Sequence, residues 1–160
     1  MEPTAIRSKF PGEIASYIFV GDHEYNIPCR GFLSFNISPF IGIKLVDCSI
    51  TMSKQTFEGD PTIFGPLMLY NVDWGAHPIE LNDFDLQGPF IASKVLSSGD
   101  ETITISSVEL KNLVQSALDT GKERFQIKLE FNYPSTDSNG SHDRFWFTYS
   151  DIHFVASFTR

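Results

Sequence analysis

The chain has 160 residues, of which 41% are hydrophobic and 14% aromatic, a composition typical of a globular domain and not of a disordered segment. A chain of this length usually forms one domain and buries about two-thirds of its surface. Twelve basic and twenty acidic residues give a net charge of −8 without a Lys or Arg cluster, so nucleic acid is not expected as a partner.

The sequence indicates neither membrane insertion nor a signal peptide. It contains no run of about 18 apolar residues, and the opening MEPTAIRSKFPGEI lacks an apolar core segment. Two locations stay open: the cytoplasm if the chain is complete, or the cell surface or exterior if it is part of a longer protein. Residues 1–12 are expected to be a flexible segment, and residues 13–160 a single domain.

Strands buried on one face dominate the first two-thirds of the sequence. The stretch CRGFLSFNI, residues 29–37, alternates between apolar residues and other positions, and so does KLVDCSITMS, residues 44–53. Further strands are predicted in ASYIFV, GPLMLYNV and ETITIS. The positions expected to be buried across the whole chain are Leu33, Phe35, Ile37, Val46, Cys48, Ile50, Leu113, Phe131 and Val155.

The hydrophobic period changes once, to helical spacing, between Ser107 and Leu118. Ser106 and Glu109 form an S-x-x-E capping box, and Gly121 is placed to end the helix in a left-handed turn. Three more strands are predicted after the helix, in RFQIKLEF, RFWFTY and IHFVASF. The apolar side of the helix expected to face inward consists of Leu110, Leu113, Val114 and Ala117.

At least seven strands and one short helix, without alternation of strand and helix, predict an all-β fold. The expected architecture is an antiparallel β-sandwich of jelly-roll type. Cys29 and Cys48 lie in strands that we expect to be neighbours. Two buried thiols are favoured, and a disulfide between them is the alternative.

The stretches CRGFLSFNIS and IKLVDCSITM resemble the opening of DNRLRE-type and related carbohydrate-binding-module-like β-sandwiches. Such domains occur in surface and secreted proteins, including disaggregatase-related ones. LYNVDWG, IELNDFD and the segment ITISSVELKNLVQSALDTGKERFQIKL are similar to later parts of the same pattern, and the resemblance runs from about Gly12 to Phe158. It implies a β-sandwich that binds carbohydrate, and it implies no catalytic residues.

Catalytic and zinc chemistry have weak support in the sequence. The carboxylate pairs Glu58 with Asp60 and Asp83 with Asp85 have a spacing that is common in loops, and a G-x-S-x-G nucleophile motif is absent. The four histidines lie far apart without paired spacing, so zinc is not expected.

Calcium is a stronger candidate, because this ion prefers several carboxylate and carbonyl oxygens on loops. Asp73, Asp83 and Asp85 are the candidate ligands of a structural Ca²⁺, and Asp22 with Glu24 is a further candidate pair. The alternative is that these residues act as turn and cap residues.

Glycan binding requires exposed aromatic faces beside polar side chains. The long loop from Asp73 to Gly88 follows a predicted strand, and its candidate ligand-binding residues are Trp74, Asn82 and Asp83, together with Tyr70 at the end of that strand. Trp74 is alternatively a plug at the end of the core. Trp146 alternates with Phe145 and Phe147, so one of these two sets faces the core.

The leading hypothesis is a non-catalytic, carbohydrate-binding module of a secreted or cell-surface protein. A structural spacer or assembly domain without a small ligand is the second hypothesis. A glycan-active hydrolase with an unrecognised site is the third.

Overall fold

The computed structural model describes residues 4–6, 14–15, 17–132 and 137–159, the first two ranges as backbone only. Most of the predicted flexible segment, residues 1–12, lies outside the described residues. The strands in chain order are β1 (Thr4–Ile6), β2 (Ile14–Ala15), β3 (Ile18–His23), β4 (Ile27–Asn36), β5 (Leu45–Ser53), β6 (Thr56–Glu58), β7 (Leu67–Val72), β8 (Phe90–Lys94), β9 (Thr102–Ile105), β10 (Arg124–Phe131), β11 (Asp143–Phe147) and β12 (Ile152–Phe158), and the helix α1 is Val108–Asp119.

The described strands form two antiparallel sheets of very different size. The larger sheet has nine strands, with the order β6-β11-β3-β4-β10-β7-β8, and β1 and β2 extend it beside β4. The smaller sheet has three strands, in the order β12-β5-β9. The predicted all-β antiparallel sandwich with one helix is confirmed, and β10 lies inside the larger sheet, paired with β4 and β7.

The main core lies between the larger sheet and a layer made by the smaller sheet and α1. It collects apolar side chains from both sheets and from the helix, for example Leu33, Ile50 and Leu110, all of which are fully buried. The burial of this apolar surface is the main stabilising contribution to the fold. Short 3-10 helices complete the connections at Ser38–Phe40, Pro61–Phe64, Leu81–Asp85 and Tyr149–Asp151.

The helix begins one residue later than the capping box predicts. Ser107 is the N-cap, and its hydroxyl accepts the amide hydrogen of Leu110 at 2.9 Å. Gly121 has a φ of +71° and ends the helix as predicted. Leu110, Val114 and Ala117 are buried, whereas Leu113 is half-buried. Among the described residues, no helix has the length and apolar character needed to cross a membrane.

Two residues of the predicted core lie on the surface, each for a local reason. Val46 is 50% exposed because the pairing of β5 with β12 skips it, so that Leu45 and Asp47 both have partners across a bulge. Val155 is 55% exposed because the inward side chains of β12 are those of Ile152, Phe154, Ala156 and Phe158. The prediction for Val46 and Val155 is therefore wrong.

Cys29 and Cys48 are buried thiols that are not joined in a disulfide. The expectation that their strands are neighbours is wrong, because Cys29 lies on β4 of the larger sheet and Cys48 on β5 of the smaller one. Burial raises the pKa of the Cys48 thiol to about 11, and the charge of Asp47 acts in the same direction.

The substitutions Phe35→Ala and Val46→Ala test the assignment of faces. Phe35 is buried and packs against Phe154 with ring centroids 5.3 Å apart, so its truncation should cost roughly 3–5 kcal/mol of unfolding free energy. Val46 is half exposed, and its truncation should cost less than about 1 kcal/mol. Urea unfolding measures both values, and a similar cost at the two positions would contradict the structure.

Candidate functional site

The predicted site loop covers the outer face of the larger sheet. We call residues 73–89 the cover loop. The Trp74 ring meets Phe32 of β4 edge to face, with ring centroids 5.8 Å apart. Phe32 alternates with Leu33, which faces the main core, so this contact lies on the opposite side of the sheet. The residues buried together in this second cluster are Phe32, Val72, Trp74, Ile79 and Phe84.

Gln126 of β10 holds the start of the cover loop. Its side-chain oxygen accepts the Trp74 amide hydrogen, and its side-chain nitrogen donates to the Gly75 carbonyl, both at 2.9 Å. The loop returns so closely to β7 that a Cβ at Gly88 would lie 1.7 Å from the Asn71 carbonyl oxygen. Only glycine fits this position, and the loop path is therefore set at both of its ends.

Lys128 and Arg30 hold the middle of the cover loop. Lys128 is 1% exposed, and its ammonium group donates to the Leu86 carbonyl at 2.8 Å and pairs with Glu130 at 3.1 Å. Desolvation lowers the pKa of Lys128 although the charge of Glu130 opposes this shift. Arg30 donates to the Phe84 carbonyl at 2.8 Å and lies 4.1 Å above the Phe84 ring centroid. Side chains of β4 and β10 thus hold the cover loop at its middle as well as at its start.

The predicted ligand-binding residues do not form an open site on this loop. Trp74 is only 7% exposed, so its ring fills the second cluster, as the plug alternative proposed. Tyr70 packs against the same cluster, and Lys128 Nζ lies 5.2 Å from its ring centroid. Asp83 is buried and accepts the Glu80 amide hydrogen at 2.8 Å, whereas Asn82 is exposed.

The predicted calcium ligands Asp73, Asp83 and Asp85 are not brought together. Asp73 pairs with Lys122 at 2.9 Å, and hydrogen bonds from Lys122 and from the Gly75 amide lower its pKa. Asp85 pairs with Arg30 at 3.0 Å. The one group of three or more metal-ligating side chains found among the described residues lies elsewhere and includes none of the three. The structure therefore gives no support to calcium at these positions.

Beside Trp74 the cover loop borders an open depression of about 260 Å³. The residues that line it include Asp73, Lys122, Glu123, Arg124 and Gln126, and none of the lining residues is aromatic. This lining offers carboxylate and guanidinium groups but not the flat apolar face that a sugar ring requires.

Three aromatic side chains form a separate patch on the outer face, around Tyr17, Phe19 and Trp146. Tyr17 is 47% exposed and meets Trp146 edge to face, with ring centroids 5.4 Å apart. Phe19 lies beneath them, 6.3 Å from Trp146 by ring centroids. Trp146 is half-buried because Phe145 and Phe147 are the residues of β11 that face the core. We call this surface the aromatic patch.

Two charged side chains flank the aromatic patch. Arg144 lies 4.4 Å above the Phe19 ring centroid, and its Nε donates to Glu58 Oε2 at 2.6 Å. Desolvation would raise the pKa of Glu58, but the hydrogen bond and charge of Arg144 outweigh it and the pKa is lowered from 4.5. The Glu58 carboxylate is therefore charged at neutral pH and held beside Trp146.

At the other end of β3 and β11, two buried carboxylates lie directly opposite each other. Asp22 pairs with Asp143 across the strands, and Asp22 is fully buried. Asp143 accepts the Asp60 amide hydrogen at 2.6 Å and Asp22 that of Asp137 at 3.3 Å, but Asp22 Oδ1 has no hydrogen-bond partner among the described residues. Burial raises the pKa of Asp22 from 3.8 to about 6, and the charges of Asp137 and Asp143 add to the shift.

The residues next to this acidic pair bring two imidazoles together. His23 follows Asp22 and His142 precedes Asp143, and their ring centroids lie 4.7 Å apart at a right angle. Glu24 Oε2 lies 3.8 Å from His142 Nε2. Each of the three side chains offers a ligating atom within 4.8 Å of the other two. We call this group the histidine cluster.

No protein-family model matches the chain, and a search of curated proteins gives no match.

The histidine cluster and the aromatic patch depend on strand pairing, and sequence reasoning missed the first and left the second open. Glu24 and His142 are 118 residues apart, and their contact follows from the register of β3 with β11. The histidines are far apart in the sequence, which is why zinc was not expected, but the fold brings His23 and His142 into contact. The alternation in RFWFTY placed Trp146 on one face of its strand and Phe145 and Phe147 on the other. Only the packed structure decides which of these two faces is turned outward.

The substitution Trp74→Ala separates a plug from a binding residue. Because the ring is buried against Phe32, its truncation should lower the unfolding free energy by roughly 3–5 kcal/mol. Asn82→Ala, at an exposed position of the same loop, should change it by less than about 0.5 kcal/mol. Urea unfolding measures both, and a Trp74→Ala protein of wild-type stability would show that the ring is not a plug.

The substitution Asp22→Asn tests the buried carboxylate. As the pH rises, the Asp22 carboxyl group of the unfolded chain loses its proton near the ordinary pKa of 3.8. In the folded protein the same group keeps its proton until about pH 6. Asp22 therefore lowers the stability of the wild type as the pH rises from about 4 to about 6. At about pH 7 the Asn variant should be more stable by roughly 1–3 kcal/mol, and its advantage should shrink toward pH 4.

Thermal and urea unfolding across this pH range in metal-free buffer measure the difference. Asp47→Asn, at an exposed carboxylate of β5, is the control and should show no such pH-dependent gain. An advantage of Asp22→Asn that grows toward acid pH would contradict the assignment.

Proposed function

We propose that this protein is a non-catalytic glycan-binding module of a longer secreted or cell-surface protein, and that the aromatic patch is its binding surface. The observation that carries the proposal is the partly exposed Tyr17–Trp146 pair with a charged carboxylate and a guanidinium group beside it. This surface lies at β3 and β11 and not on the loop that the sequence suggested. It offers the same combination of groups, aromatic rings beside polar side chains.

The aromatic patch suits a pyranose ring. The C–H groups of a sugar pack on an aromatic face, and an indole contributes a large apolar area at a small cost in side-chain entropy. Tyr17 and Phe19 both pack against Trp146, so its ring is largely oriented before any ligand binds. Pre-organisation of this kind reduces the entropy lost on binding.

The flanking charges suit the hydroxyl groups of the same ligand. The Glu58 carboxylate is partly exposed and accepts hydrogen bonds, and the buried Arg144 guanidinium holds it in place. The two side chains already pair with each other, so a sugar hydroxyl would join an existing arrangement. The net charge of −8 favours a neutral glycan over a polyanionic one.

The location of the aromatic patch indicates the shape of the ligand. The patch lies on the face of the larger sheet at β3 and β11, next to the edge strand β6. An open sheet face accommodates a stretch of an extended polysaccharide and not only a terminal sugar. The resemblance to carbohydrate-binding-module-like sandwiches supports the same class of ligand.

A structural spacer is the second candidate, and the burial of Trp74 favours it. A cover loop held by Gln126, Lys128 and Arg30 has the properties of a rigid wall and not of an adaptable binding loop. In that case the domain would separate or assemble other parts of a longer chain without binding a small ligand.

The substitution Trp146→Ala decides between the two candidates. A glycan array identifies ligands of the wild-type protein, and calorimetry with the best oligosaccharide measures its affinity. Trp146→Ala should weaken binding about tenfold or more, since it removes the largest apolar contact surface of the patch. Tyr149→Ala removes another exposed aromatic ring, outside the patch, and should leave the affinity unchanged.

Circular dichroism and urea unfolding of the Trp146→Ala variant confirm that it remains folded. An array without ligands, or a ligand bound equally well by Trp146→Ala, would contradict the proposed site. Loss of binding in both variants would point to a different surface and would also contradict it.

A further inference from the structure

We propose that the histidine cluster, formed by His23, Glu24 and His142, is a Zn²⁺ site that joins the turn after β3 to the segment before β11. The three ligating atoms already lie within 4.8 Å of one another. This inference is independent of the proposed glycan surface, because it rests on other residues at the opposite end of the same strands.

The fold itself brings the three ligands together. Asp22 and Asp143 are register partners, so the next positions along the two antiparallel strands, His23 and His142, meet at the end of the ladder. Two further hydrogen bonds hold the two segments in place. The Gly140 amide donates to Asn26 Oδ1 at 3.1 Å, and the Glu24 amide donates to His142 Nδ1 at 3.2 Å.

The donor set selects a borderline divalent cation. Imidazole nitrogen suits Zn²⁺ and its late first-row neighbours, whereas Ca²⁺ and Mg²⁺ prefer a shell made almost entirely of oxygen. Two histidines and one carboxylate form a three-ligand set that leaves one position of a tetrahedral ion for water or another ligand.

The geometry requires a small closure of the side chains. Tetrahedral ligands at about 2.0–2.1 Å from Zn²⁺ lie about 3.4 Å from one another, so the ligating atoms must move together by up to about 1.4 Å. The side chains of His142 and Glu24 are 31% and 46% exposed, which leaves them room for rotamer changes.

The hydrogen bond from the Glu24 amide to His142 Nδ1 must be replaced when the metal binds. Coordination through Nδ1 takes the lone pair that this bond uses. Coordination through Nε2 leaves the proton on Nδ1, which then no longer accepts. Either way one long hydrogen bond at an exposed position is exchanged for a metal bond, and such a loss is small beside the binding energy of a zinc site.

The surrounding charges favour a cation at this end of the sheet. Asp22 and Asp143 lie one position away along their strands, and Asp137 contributes to the same field. Acidic groups that lie close together attract a divalent cation and raise its local concentration. The buried Asp22 Oδ1, which lacks a hydrogen-bond partner among the described residues, belongs to this group.

A metal at this position would stabilise the native protein. The ligands come from two segments that only the folded chain brings together, so Zn²⁺ binds the native state and shifts the unfolding equilibrium by mass action. The ion would act as a cross-link at the end of the β3–β11 ladder, in a chain whose two cysteines do not form a disulfide.

Calorimetry with ZnCl₂ on the chelator-treated wild-type protein at about pH 7 tests the proposal. We expect one Zn²⁺ per chain and a melting temperature that rises with the Zn²⁺ concentration. His142→Ala and His23→Ala should each weaken binding about tenfold or more. Glu24→Gln keeps the size of the side chain, and it should also weaken binding.

His153→Ala is the matched control, since this histidine is exposed on β12 and lies outside the cluster. It should bind Zn²⁺ like the wild type. Co²⁺ provides a second measurement, because a tetrahedral nitrogen and oxygen site gives visible absorption that His142→Ala should lose. MgCl₂ and CaCl₂ should leave the melting temperature of the wild type unchanged.

Three results would overturn the proposal: the absence of Zn²⁺ binding by the wild type, equal affinity in the wild type and His142→Ala, or equal stabilisation by Ca²⁺ and Zn²⁺. The last result would assign the cation to the neighbouring carboxylates. If His142→Ala does not fold, the Glu24→Gln variant with its unchanged backbone still decides the question. None of these outcomes depends on whether the aromatic patch binds a glycan.

Discussion

The hydrogen bonds from Gln126 and Lys128 to the cover loop are the constraint on which the rest of the structure depends. Both side chains point to the outer face of β10, a strand inside the larger sheet. Both are buried, so their polar groups need partners. The backbone of the cover loop provides these partners, and Trp74 and Phe84 then fill the space over Phe32. The larger sheet consequently has an apolar cluster on each side of its centre.

This arrangement limits where a ligand can bind. Around β4, β7 and β10 the outer face is occupied by the cover loop, which explains why the aromatic residue of that loop is buried. At β3, β6 and β11 the same face carries Trp146 and Tyr17, which stay partly exposed. The surface with the properties of a glycan site therefore lies on the same face as the long loop, but toward the edge of the sheet that β6 forms.

The pairing of β3 with β11 also determines the chemistry at the far end of these strands. One register places Phe19 opposite Trp146 and Asp22 opposite Asp143. The same ladder ends with the two histidines in contact. A shift of β11 by one residue relative to β3 would turn Trp146 toward the core and Phe145 and Phe147 outward, and it would remove the aromatic patch. The proposed glycan surface and the proposed zinc site are thus separate sites that depend on one register.

The sequence by itself determined the all-β class, the single helix and the buried side of the strand at Leu33, Phe35 and Ile37, because these features follow from hydrophobic periods that act within a few residues. The tertiary structure alone decided the bulge at Val46, the inward set of β12, the burial of Trp74 and the meeting of His23 with His142. Each of these depends on which distant strand or loop becomes a neighbour. That choice results from the packing of the whole chain, and local alternation carries no information about it.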